Sequence, residues 1–78
     1  MAAVPSIKAK EVITTLKTFG FVVARQKGSH VSMKKDGHRF VVTVPDHGAT
    51  PVKKGTLRGI IKSAGITVDD FVDAHANL

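Results

Sequence analysis

The chain has 78 residues, 42% of them hydrophobic, and no cysteine, so it can build one small core but no disulfide, thiolate zinc site or cysteine nucleophile. Its net charge of +6 is uneven, because residues 1–62 hold all 12 Lys and Arg with three acidic residues, net +9, whereas residues 63–78 carry −3. A basic body indicates a polyanionic partner, most commonly nucleic acid, although a cationic surface that only favours solubility explains the charge equally well.

The first predicted elements are a helix and a strand. Ser6 can cap the helix and Gly20 can end it. Between them the apolar residues recur on one helical face, at Ala9, Val12, Ile13, Leu16 and Phe19. Residues 21–26 are rich in β-branched side chains and predict the first strand, which a Lys-Gly-Ser turn follows.

Two further strands are predicted after this turn. Residues 30–34 alternate between two faces. One face holds Val31 and Met33, and the other, which we expect to be open to water, holds His30, Ser32 and Lys34. Asp36-Gly37 is typical of a tight hairpin. The third strand is then expected over residues 38–44, ended by Pro45 because proline cannot continue a ladder.

The second half of the chain predicts a loop and two helices. Residues 45–55 have the composition of a loop. The second helix ends at Gly65, and its apolar face consists of Leu57, Ile60, Ile61 and Ala64. Thr67, with Asp70 three residues later, resembles a capping box and predicts a short last helix. The inward residues of that helix are expected to be Phe71 and Val72.

This order of elements predicts an α+β fold. The α-β-β-β-α sequence with a short C-terminal helix favours a three-stranded antiparallel sheet that has helices on one face and water on the other. Residues 1–78 are expected to form a single domain. The N-terminus lacks the apolar run of a signal peptide, and no segment is long enough to cross a bilayer. We therefore expect a soluble protein of the cytoplasm without a membrane partner.

The histidines and aromatic residues narrow the kinds of site that are possible. The four histidines show no metal-ligand spacing, so no metal and no other cofactor is expected. His75 is explained by the dipole at the end of the last helix, and His38 is half-buried or exposed depending on strand register. The chain has no Trp or Tyr, and core positions are predicted for Phe19, Phe40 and Phe71. Recognition of nucleic acid should therefore depend on phosphates and shape, without base stacking.

His30 and His47 are the candidate functional histidines. His30 follows Gly28 and Ser29 and is flanked along the chain by Arg25, Lys27 and Lys34. An imidazole can take the proton from a ribose 2′-OH, which then attacks the adjacent phosphate, while the lysines stabilise the developing charge. His47 can act nearby as a second acid or a phosphate donor. From the residues alone, a solvated surface histidine is the better explanation of either position.

Two lysines precede the second predicted helix. Lys53 and Lys54 can hold a phosphate together with the free amide groups of that helix terminus. The surrounding residues, GATPVKKGT, lack the spacing of a phosphate-binding P-loop, so a nucleotide site is not predicted.

Three segments resemble the HicA family of bacterial toxin ribonucleases, namely GFVVARQKGSHVSM, VTVPDHG and KKGTLRGIIKSAGIT. The resemblance covers about residues 8–71 and implies a fold like the double-stranded-RNA-binding domain. It also implies metal-independent cleavage of mRNA. The histidine of the family's Gly-Ser-His motif, here His30, would be catalytic, and Pro45 with His47 matches the family's Pro-x-His loop. A HicB-type antitoxin would cover the active site, so that any contact with DNA is made only indirectly, through the antitoxin complex.

The sequence thus predicts the toxin component of a type II toxin–antitoxin system. His30 is the predicted general acid–base residue, and the predicted substrate contacts are Lys27, Gly28, Ser29, Lys34, His47, Lys53 and Lys54. One alternative is a non-catalytic RNA-binding domain of the same fold, in which His30 only contacts phosphate. Another is a protein-interaction module whose basic face docks an acidic partner.

Overall fold

Three helices and three strands follow one another in the order α-β-β-β-α-α in this computed structural model, which describes residues 4–78. The elements are α1 (Ala9–Thr18), β1 (Val22–Lys27), β2 (His30–Lys34), β3 (Val42–Pro45), α2 (Lys54–Ser63) and α3 (Val68–Ala76). The strands form one antiparallel sheet in the order β1-β2-β3. The predicted α+β fold with a short last helix is confirmed.

The helices cover one face of the sheet. Helices α1 and α2 pack against β3, and α3 packs against both of them. The sheet contributes Val31, Met33, Val42 and Val44 to the core, and the helices contribute Ala9, Val12, Leu16, Leu57, Ile60, Ile61 and Phe71, together with Ala64 at the C-cap of α2. Burying a large apolar side chain stabilises the fold by about 1.5–3 kcal/mol. This burial fixes which face of β2 points inward, and the opposite face stays open.

Helix α1 begins differently from the prediction. Its N-cap is Lys8, which makes no side-chain capping bond, so the expected cap at Ser6 is wrong. The preceding segment instead pairs with the loop before α2: Lys8 bridges Pro51, and the Val52 N–H donates to the Ile7 carbonyl at 2.8 Å. The long-range pairing of this segment, in which Ile7 is buried, takes the place of a local side-chain cap.

The third strand is shorter than predicted. A turn does form at Asp36-Gly37, with the His38 N–H donating to the Lys35 carbonyl at 3.0 Å. The ladder does not resume after it, so the predicted tight hairpin and the strand over residues 38–41 are wrong, and β3 runs from Val42 to Pro45. Pro45 is itself the last strand residue, which an edge strand tolerates.

His38 explains why the chain leaves the ladder there. Its ring is half-buried, its Nε2–H donates to the Ser63 carbonyl at 2.7 Å, and its ring meets the Phe21 ring edge-on at 5.2 Å. The end of α2 therefore holds residue 38 away from β2. As a result Phe40 is 60% exposed, and its predicted core position is wrong.

Side-chain contacts hold both ends of helix α3. The Thr67 hydroxyl accepts from the Asp70 N–H at 3.1 Å, which confirms the predicted cap, and Phe71 is buried as expected. His75 does lie in the last turn, but it also pairs with Glu11 of α1, with 3.0 Å between Nε2 and Oε1. The helix dipole was therefore only part of the explanation for His75.

Candidate active site and nucleic-acid interface

The open face of the sheet carries His30. Val31 and Met33 are buried, so the alternation of β2 directs His30, Ser32 and Lys34 to the opposite face. Residues that oppose each other on neighbouring strands share a face. The pairs of His30 with Lys27 and Pro45, and of Ser32 with Arg25 and Thr43, therefore assign those four residues to the open face as well.

A two-residue turn holds Lys27 and His30 opposite each other. Gly28 has φ +58°, and no other residue of the turn has a positive φ, which is the pattern of a type II′ hairpin turn. A Cβ at Gly28 would meet no atom within 4 Å, so glycine is needed here for its backbone conformation and not for space. The Ser29 carbonyl accepts from the Asp46 N–H at 2.6 Å, which ties this turn to the loop that follows β3.

That loop brings His47 to the same end of the sheet. A depression of about 290 Å³ is lined by Pro45, His47, Thr50, Pro51, Val52, Lys53 and Thr56. Pro45 is the partner of His30 in the ladder, so the depression adjoins the catalytic candidate. Two hydrogen bonds within the loop order it. The Gly48 N–H donates to Asp46 Oδ1 at 2.9 Å, and the Thr50 N–H donates to the His47 carbonyl at 3.3 Å.

The N-terminus of α2 borders this depression. Its N-cap is Lys53, no side chain caps the helix, and its first turn contains no acidic residue. The amide groups of the first turn therefore remain available, and the helix dipole adds a partial positive charge beside Lys53. Such a terminus is suited to bind a phosphate group.

The structure brings together most, but not all, of the predicted site residues. One end of the sheet gathers Lys27, Gly28, Ser29, His30, His47 and Lys53. Lys34 shares the open face but lies at the other end of β2, about 13 Å from His30 at 3.3 Å per residue. Lys54 is exposed at the first position of α2 and does not line the depression.

Two features of the surface were not expected from the sequence. Arg25, which was not among the predicted substrate contacts, lies on the open face opposite Ser32. Phe40 and Val41 are exposed between Arg39 and β3, so one aromatic ring is accessible to a stacking partner after all. Neither feature has a local signal in the sequence, because both depend on how the strands pair.

No group of three or more metal-ligating side chains occurs among residues 4–78. In the same part of the chain, every helix is too short or too polar to cross a membrane.

Two comparisons show that the chain is similar to proteins of bacterial toxin–antitoxin systems. The family model described as "HicA toxin of bacterial toxin-antitoxin" matches residues 9–66. A chain in a solved structure described as "Toxin-Antitoxin complex from Streptococcus pneumoniae" is 36% identical, with a TM-score of 0.66. The match covers 77% of the present chain and 98% of that chain. A comparison with curated proteins found no match.

Proposed function

Because this chain belongs to the HicA toxin family of bacterial toxin–antitoxin systems, we propose that it is a metal-independent endoribonuclease that cleaves mRNA and thereby stops translation and growth. The observation that carries the proposal is the position of His30. Its imidazole is exposed on a basic sheet face, opposite Lys27 and beside a depression lined by His47 and Lys53. These groups are the ones that cleavage of an RNA phosphodiester without a metal requires.

In the proposed reaction His30 acts on the ribose 2′-OH. A ring nitrogen of His30 takes the proton, the 2′-oxygen attacks the adjacent phosphorus, and the bond to the 5′-oxygen of the next nucleotide breaks. A second acid returns a proton to that leaving oxygen, which leaves a 2′,3′-cyclic phosphate and a free 5′-hydroxyl. His47 is our candidate for this acid, because it borders the depression beside Pro45, the ladder partner of His30.

Cationic groups would stabilise the transition state. Negative charge accumulates on the non-bridging oxygens as the phosphorus becomes five-coordinate, and preorganised donors are most effective where such charge develops. Lys27 opposes His30 across the hairpin, and Lys53 lies with the open amide groups of α2 at the other side of the depression. Gly28 and Ser29 would position His30 through the turn. Lys34 and Lys54 would contact phosphate groups farther along the RNA.

We further propose that a HicB-type antitoxin is the protein partner, and that contact with DNA occurs only indirectly, through the complex of the two proteins. The solved relative described above is a toxin–antitoxin complex. A basic open face offers an inhibitor with acidic side chains a complementary surface. An antitoxin placed there would exclude RNA from His30.

A cleavage assay in excess EDTA tests the proposed activity. Purified wild-type protein should cut a single-stranded RNA under these conditions, His30→Ala should not, and Lys62→Ala, an exposed change in the last turn of α2, should cut at the wild-type rate. Cleavage that stops in EDTA and returns with a divalent cation would contradict the metal-independent mechanism. A wild-type protein that binds RNA without cutting it would favour the non-catalytic RNA-binding domain.

A further inference from the structure

Strand β1 contains a bulge that decides where its cations point. Val22 and Val23 pair with Lys34 and Met33, but the next pair joins Arg25 to Ser32, so Ala24 is the extra residue. An unbroken strand would direct every second residue to the same face. Phe21 and Lys27 would then share a face, and Arg25 would lie between them on that side.

The bulge reverses the alternation of faces partway along this strand. Phe21 is only 1% exposed, so it belongs to the core side, and Val23 opposes the buried Met33 on that same side. Beyond Ala24 the alternation is inverted, because a bulged residue adds one position to its strand only. Arg25 and Lys27 therefore lie on the open face with His30, although Phe21 remains inside.

We infer that Arg25 is a further RNA-binding residue, one of a cationic stripe formed by Arg25, Lys27 and Lys34. Cross-strand neighbours are about 5 Å apart and alternate residues of one strand about 7 Å apart. The stripe therefore continues along the hairpin from His30 for roughly 13 Å. Its ligand is the phosphate backbone of the RNA strand that is cut, so the inference rests on the proposed function and extends it.

The composition of the sheet favours an anionic ligand at this stripe. None of the three strands contains Asp or Glu, so no carboxylate within the sheet neutralises the stripe. Arg25 brings a guanidinium, which can bind two phosphate oxygens at once. Gln26 opposes Val31 and so lies on the other face of the same strand. Exchanging Arg25 with Gln26 would therefore move the positive charge from one face of the strand to the other.

The experiment exchanges the two neighbours. Arg25→Gln combined with Gln26→Arg keeps the composition and the net charge but moves the cation to the other face. All six residues of β1 are exposed, so the exchange removes no core side chain, but Gln26→Arg replaces the donor of a 3.3 Å hydrogen bond to the Gly28 carbonyl. The single variants Arg25→Gln and Gln26→Arg serve as controls, and Arg25→Lys tests whether charge at position 25 suffices. Thermal unfolding of each variant checks that the fold is retained.

RNA affinity is measured in EDTA against salt concentration, with labelled single-stranded RNA and every variant made in a His30→Ala background. One lost phosphate contact lowers the magnitude of the log–log slope by about 0.7. The exchange and Arg25→Gln should both show this decrease, whereas Gln26→Arg and Arg25→Lys should keep the parent slope. Because binding is measured without cleavage, the result does not depend on whether the protein is a ribonuclease.

Three outcomes would overturn the inference. An exchange variant with the parent slope would mean that only net charge matters. An unchanged slope in Arg25→Gln would remove Arg25 from the interface. Variants that bind RNA normally but lose affinity for a HicB-type antitoxin would make the stripe a protein-docking surface. If instead the wild-type protein cuts no RNA while the exchange lowers the slope of RNA affinity against salt, the proposed enzyme activity is wrong. The inference that the stripe binds RNA then still stands.

Discussion

Lys27 and His30 lie directly opposite each other at the end of the β1–β2 hairpin, separated along the chain only by Gly28 and Ser29. This pair puts an ammonium group beside an imidazole on an exposed face. The tight turn sets their separation, at about 5 Å between Cβ atoms, and the core below β2 sets their direction. A phosphate that reaches His30 therefore also reaches a cation.

His30→Ala should abolish RNA cleavage and growth arrest. Removing a general acid–base residue costs about a hundred- to ten-thousand-fold in rate, whereas an exposed substitution changes the free energy of unfolding by less than about 0.5 kcal/mol. Initial cleavage rates and urea unfolding measure both. His30→Lys separates the two roles of this residue, since a lysine can hold a phosphate but is a poor proton acceptor at neutral pH. A toxic, RNA-cleaving His30→Lys protein would contradict the catalytic assignment.

Gly28→Ala should destabilise the protein by about 1–2 kcal/mol, because an L side chain is strained at φ +58° even where space is available. Gly59→Ala is the matched control. Gly59 lies within α2 without a positive φ, and a Cβ there meets no atom within 4 Å, so alanine should stabilise by about 0.5–1 kcal/mol. Urea unfolding of both variants measures the difference, and equal effects would refute the conformational argument.

His38→Ala should give the opposite pattern to His30→Ala. It removes the bond to the Ser63 carbonyl and the edge contact with Phe21. We expect a loss of about 1–2 kcal/mol in the free energy of unfolding. Cleavage of RNA should continue at the wild-type rate below the unfolding temperature. A stable but inactive His38→Ala protein would show that His38 takes part in the reaction.

Charge reversal at Lys27 and Lys34 should slow association with a HicB-type antitoxin more than it speeds dissociation, because complementary charge mainly steers the encounter. Surface plasmon resonance at low salt measures both rates, and a protein with Lys17→Glu and Lys62→Glu, in the last turns of α1 and α2, is the control for net charge. Association at the wild-type rate in the variant reversed at Lys27 and Lys34 would exclude the open face as the antitoxin surface.

Much of the fold could be predicted because its signals are local. The apolar spacing of α1 and α2, the glycines that follow them and the Thr67 cap each depend on residues within one or two turns. The alternation within β2 likewise predicts that His30 is on the open face, because the buried Val31 and Met33 leave it no other direction. The open-face position of His30 therefore follows from its own short segment, whereas its predicted catalytic role depended on the family resemblance.

Tertiary structure decided the rest, because those features depend on contacts between distant segments. Lys8, the N-cap of α1, is placed by its pairing with Pro51, and the bond between His38 and Ser63 shortens β3 and exposes Phe40. The side of the sheet that Arg25 occupies depends on the bulge at Ala24. The burial of Phe21, just before β1, and the hairpin register at Lys27 require opposite alternations, and only an extra residue between them satisfies both.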